Sequence, residues 1–165
     1  MEKKEIFTIQ EAELFFAKNL NGEVHQLLEK QNRSNEENEY MLYAAFGSAY
    51  HWKKAGTEIN QQRAEWLIAH VYTVNKDQHN AMTHAKRCLE LSFEFPEQMQ
   101  DFDWGYAFEC MARAYALQNN RLECQAYYKK ALDADNKIAD DEDRTIFIQD
   151  LTGGDWYNFQ FSNSE

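Results

Sequence analysis

The sequence predicts an all-α fold of antiparallel helical hairpins. Three observations carry this. The 165 residues include one proline and six glycines, too few turn-formers for the frequent reversals of a sandwich or barrel. Apolar residues recur at helical spacing along most of the chain. The segments with that spacing are joined by connections of about two to six residues, which force neighbouring helices to pack as hairpins. Hydrophobic residues make up 44% of the chain and aromatics 15%, enough apolar material for one core in a single domain spanning residues 1–165.

The elements follow in order. Thr8-Ile9-Gln10-Glu11 is a capping box, with side chains placed to satisfy the free N–H groups of a helix start. The helix after it is expected to bury Ile9, Leu14, Phe15 and Phe16 and to break at Asn21-Gly22. A short amphipathic piece with Val24, Leu27 and Leu28 then runs to about Lys30. Ser34-Asn35-Glu36-Glu37 is a second capping box, opening a helix to about Lys54 with Leu42, Ala45, Phe46 and Ala49 on one face. Gly56 ends it and Thr57 caps the next helix, which carries Ile59, Ala64, Leu67, Ile68 and Val71 to about Val74. Residues 78–93 form another, with Ala81, Ala85, Cys88 and Leu89 inward.

Pro96 sits at an expected helix start, where its missing N–H does no harm. That helix runs to about Gln118, and Asn119-Asn120 turns the chain. Residues 121–135 are helical again, with Leu122, Tyr128, Ala131 and Leu132. Asp140 caps a last helix carrying Ile146, Phe147 and Leu151, and Gly153-Gly154 stops it. The tail holds Trp156, Tyr157, Phe159 and Phe161. It is expected to fold back over the last helix, with docking on another chain as the competing reading.

The formal charge is −11, with 8 basic against 11 acidic groups in residues 1–75 and 9 against 17 in residues 76–165. Phosphate contacts need a basic surface, so nucleic acid is not expected as a partner. No apolar run approaches the length of a membrane span, and no leader-like stretch follows Met1-Glu2-Lys3-Lys4-Glu5. The expectation is a cytoplasmic protein without a membrane partner. Cys88, Cys110 and Cys124 are odd in number and widely spaced, which favours buried free thiols over disulfides or a zinc ribbon.

An internal repeat distinguishes a closed bundle from stacked hairpins. Ile68-Ala69, Tyr72, Ala81, Ala85 and Cys88 match Met111-Ala112, Tyr115, Cys124, Tyr128 and Ala131 at one constant offset. Small residues fall where two helices of a hairpin must approach closely. This pattern resembles the tetratricopeptide repeat, as found in small bacterial proteins built on it. Phe108, Met111, Ala112, Tyr115, Tyr128 and Ala131 carry the better match. Asn136 stands where the family commonly has proline, and Glu65 where a large apolar residue is usual. A degenerate copy begins at Tyr43, Phe46, Gly47 and Tyr50, with Arg63 and Trp66 at small-residue positions. The resemblance covers about residues 40–136. It divides the domain into degenerate N-terminal helices (8–35), a repeat core (36–136) and a capping helix with its tail (137–165).

The resemblance implies a short right-handed superhelix whose concave groove holds a protein or peptide segment. Carried over by position, the groove residues are Arg63, Trp66 and His70 on one helix and Tyr106, Glu109 and Arg113 on the next, with His51 extending the row. Two arginines beside an aromatic suit a peptide carboxylate. The competing reading makes Trp66 and Tyr106 packing residues and pairs both arginines with Asp or Glu on neighbouring helices.

No motif for catalysis emerges. No two of the five histidines lie three or four apart, and no HExxH, GxSxG or phosphate loop is present. No cofactor is implied, and a non-enzymatic interaction module is expected. The alternatives are a small-ligand, metal-binding or enzymatic site across helices at His51, His70 and Glu109, and a structural homo-oligomer.

Overall fold

A computed structural model describes residues 7–159 and Phe161. The segments Met1–Glu5 and Ser162–Glu165, considered above for a leader and as the end of the tail, lie outside the described residues. Among the described residues there are seven α-helices and no strand: α1 (Ile9–Leu28), α2 (Asn35–Ala55), α3 (Glu58–Val74), α4 (Gln78–Glu94), α5 (Asp101–Leu117), α6 (Arg121–Asp135) and α7 (Asp141–Thr152). No helix among them is long and apolar enough to cross a membrane.

Both capping boxes form. The Thr8 and Ser34 side chains accept from the Glu11 and Glu37 N–H groups, and each glutamate returns to the cap's own backbone N–H. Asp140 accepts from the N–H groups of Glu142 and Asp143, so the acidic run 140–143 belongs to a helix start, where its charge complements the positive end of the dipole.

Consecutive helices pack in pairs: α1 with α2, α3 with α4, α5 with α6, and α7 against α5 and α6. Two of these hairpins correspond in their first helix and in their turn. The helices α3 and α5 begin and end with the same offset of 43 residues. Their turns repeat as well. Lys76 and Asn119 both take the left-handed conformation, with φ of 61° and 59°. The backbone bonds Asp77 N–H to Tyr72 O and Asn120 N–H to Tyr115 O also correspond, each 2.9 Å long. Asp77 and Asn120 then cap α4 and α6.

The core is a series of three clusters in chain order. Val24, Met41, Ala45, Leu67 and Val71 join the first three helices. Ala81, Ala85, Cys88, Ala107, Cys110 and Met111 join α4 to α5. Ala112, Ala131, Phe147, Leu151 and Trp156 join α5, α6, α7 and the tail. All three cysteines are buried and free. Burial pushes the Cys110 thiol well above its usual pKa and the Cys124 thiol up to about 11.

Several expectations are corrected. The first helix does not break at Gly22 but runs through it. Glycine costs a helix roughly 1 kcal/mol, and burial of Ala17 and Val24 on one face offsets that. That face leaves Ile9, Phe15 and Phe16 exposed, not buried. Pro96 starts only a short 3-10 turn (Pro96–Gln98), and α5 begins at Asp101. Leu122, Leu132 and Ile146 lie outward.

Two helix glycines mark close approaches. A Cβ on Gly47 would stand 2.9 Å from Leu20, and one on Gly105 would stand 2.7 Å from the Phe147 ring. The tail returns over the last helices: Trp156 Nε1 donates to Leu151 O at 3.2 Å, and the Phe161 ring stacks on Tyr128 with centroids 3.6 Å apart.

Candidate functional site

Four helices and the returning tail enclose a cleft of about 430 Å³. The end of α1 supplies His25, Leu28 and the following Glu29. The helix α3 supplies Trp66, His70, Thr73 and Val74, and α5 supplies Glu109 and Arg113. The end of α7 and the tail supply Asp150, Gly154, Asp155 and Tyr157. A second cavity of about 460 Å³ shares His25, Glu29, Trp66 and Asp150 with the first and adds Arg63, Asp103 and Tyr106. The two cavities therefore adjoin.

The wall is aromatic. Trp66 lies near-parallel to His70, with centroids 5.2 Å apart, and to His25 at 6.2 Å. Tyr106 meets Trp66 edge-on at 5.2 Å. The Trp66 indole N–H donates to Glu109 Oε2 at 3.1 Å. Glu109 is 1% exposed and also pairs with Arg113 one turn later on α5. A carboxylate this deep needs such partners, because an unpaired buried charge is costly.

Arg113 is 4% exposed. Its terminal nitrogens donate to the backbone oxygens of Asp150 (2.8 Å), Gly153 (3.1 Å) and Asp155 (3.2 Å). Its guanidinium lies 4.2 Å from the Trp156 ring centroid. The last carbonyls of a helix lack intrahelical donors, and a cation there complements the dipole. Arg113 therefore anchors the end of α7 and the tail. It does not stand ready for a peptide carboxylate, which corrects that expectation. Arg63 is also engaged internally, with Nε and a terminal nitrogen on the two oxygens of Asp103 at 2.8 and 3.0 Å. Both arginines pair with acidic side chains: Arg63 with Asp103 on a neighbouring helix, as the competing reading had it, but Arg113 with Glu109 of its own helix.

Tyr106 donates its hydroxyl to Asp150 Oδ2 at 2.7 Å. Burial, and then that carboxylate, raise its pKa. His70 Nδ1 is buried without a hydrogen-bond partner, and burial lowers the His70 pKa to about 4. His51 lies elsewhere. Its Nδ1 is 2.5 Å from Glu13 Oε2, beside Phe16 and Tyr50. The grouping of His51 with His70 and Glu109 is therefore corrected, because the first faces α1 and only the other two line the cleft. Among the described residues no cluster of three metal-ligating side chains forms.

Sequence reasoning missed His25, Glu29, Asp150 and Tyr157. The supposed break at Gly22 hid the first two, since an unbroken α1 carries them to the same end as the α3 residues. Tyr157 donates its hydroxyl to Thr73 O at 2.7 Å, 84 residues away, and no local pattern announces that contact. No family model, curated protein or solved structure matches the chain.

Proposed function

We propose that this chain is a short tetratricopeptide-like array, and that it acts as a non-enzymatic interaction module taking a partner's extended segment in the two-lobed groove. The observation that carries this is the groove itself: two adjoining cavities share an aromatic wall at Trp66 and open between helices that follow one another in the stack. The constant offset of 43 between α3 and α5, in sequence and in turn geometry, supports the repeat. In such an array the first helix of each hairpin lines the concave side of a right-handed superhelix, and α1, α3 and α5 all contribute to the groove. A flat aromatic in a desolvated setting is the usual anchor of an interface.

The test is capture of partners by the wild-type chain and by Glu29→Arg. Glu29 is exposed beyond the end of α1, so the fold survives the change, as circular dichroism will show. A partner retained by wild type and lost by the variant is the expected result. Equal retention by both, with unchanged melting, contradicts a role for this groove.

A further inference from the structure

The charge in the groove identifies its occupant, granted that the groove takes a partner segment. Glu29, Glu109, Asp150 and Asp155 face the main cleft, with Arg113 as the opposing cation. Arg113 is matched by Glu109. Among the described residues, Glu29 and Asp150 have no salt-bridge partner.

A second observation, at the end of α3, has the same sign. The helices α1, α3 and α7 all end at this cleft, through Leu28, Val74 and Asp150. Each helix C-terminus carries about half a negative charge. Arg33 donates to the Leu27 and Leu28 carbonyls of α1, and Arg113 takes those of Asp150 and Gly153. The final turn of α3 has no such cation; its Thr73 carbonyl receives the neutral Tyr157 hydroxyl.

We infer that the groove binds an arginine side chain of a partner protein segment, its guanidinium packed against the aromatic wall that His25 and Trp66 form and paired with the carboxylates of Glu29 and Asp150. Arginine suits this wall better than lysine, because its planar fork stacks on an aromatic face while bonding a carboxylate at its edge. The molecule already uses that arrangement twice. Arg113 lies over Trp156 beside Glu109, and Arg63 lies 5.0 Å from the Phe102 centroid while gripping Asp103. The expected ligand is thus a basic segment, the reverse of the carboxylate that the two arginines alone had implied.

The experiment titrates the ¹⁵N-labelled chain with capped peptides Gly-Gly-X-Gly-Gly, where X is Arg, Lys, Glu or Leu. The arginine peptide should shift amides of α1, α3 and α7 at the cleft, more strongly than the lysine peptide. Glu29→Gln should weaken it several-fold, and Glu29→Gln with Asp150→Asn at least tenfold. Glu29→Gln guards against misfolding, because that side chain is exposed. Equal response to lysine, or preference for the Glu or Leu peptide at the same amides, overturns the arginine assignment while the interaction module stands. Shifts confined to other surfaces, or absent with every peptide, overturn both.

Discussion

Trp66 donates its indole N–H to Glu109 at 3.1 Å, and these two residues occupy equivalent positions of successive hairpins, 43 apart. The contact ties one hairpin to the next and fixes the aromatic wall of the groove. It also gives buried Glu109 its second partner, beside Arg113. Glu109→Gln leaves the buried guanidinium uncompensated. It should cost about 3–5 kcal/mol, whereas Trp66→Phe, which loses one hydrogen bond and some contact area, should cost about 1–2 kcal/mol. Urea unfolding of both variants measures the difference.

Arg113→Ala should destabilise the fold and release the tail. The guanidinium serves three backbone carbonyls, at the end of α7 and in the tail, and stacks on Trp156. Removing one side of a buried pair costs about 3–5 kcal/mol. Hydrogen exchange should accelerate at residues 150–157 more than in α2. Unchanged protection there would show that the tail is held by its aromatic contacts alone.

Two of the three glycines within helices, Gly105 and Gly22, should respond to alanine with opposite signs. At Gly105 a Cβ meets Phe147 at 2.7 Å, and overpacking of this kind costs about 1–3 kcal/mol. At Gly22 a Cβ meets nothing within 4 Å, so Gly22→Ala should stabilise by up to about 1 kcal/mol through helix propensity. Thermal melts of the two variants should move in opposite directions.

Acid should weaken the fold through His70. Its pKa falls from 6.5 to about 4 because the ring is buried, with Glu109 opposing that shift and Arg113 and His25 adding to it. Between those values the unfolded chain binds a proton that the folded chain does not. The stability contributed by the neutral ring is therefore complete above pH 6.5 and is lost as pH falls toward 4. The slope reaches at most about 1.4 kcal/mol per pH unit. Unfolding midpoints at pH 7 and pH 5 should differ less in His70→Gln than in wild type.

The sequence made the helices legible because caps and hydrophobic spacing are local. Thr8, Ser34 and Asp140 mark starts without reference to the rest of the chain, and the matched offsets of Tyr72 and Tyr115 expose the repeated hairpin. The orientation of α1 was not legible. Phe15 and Phe16 are the larger apolar residues, yet the face that closes on α2 is set by small Ala17 and by Gly47 across the interface. Of the groove, Trp66 and His70 were reachable from their helix positions. The engagement of Arg113 was not, since its carbonyl partners lie 37 to 42 residues away in backbone that sequence does not distinguish. His51 misled because α2 turns it toward Glu13 of α1.

The groove between α1, α3, α5 and α7 is the proposed partner surface. Site-specific photo-crosslinking tests that most directly, with a photoreactive residue at His25 or Glu29 in the groove and at Tyr43 or Leu122 on exposed faces outside it. A discrete crosslinked partner is expected from His25 and Glu29 and none from Tyr43 or Leu122. Crosslinks from Tyr43 or Leu122 alone would contradict it.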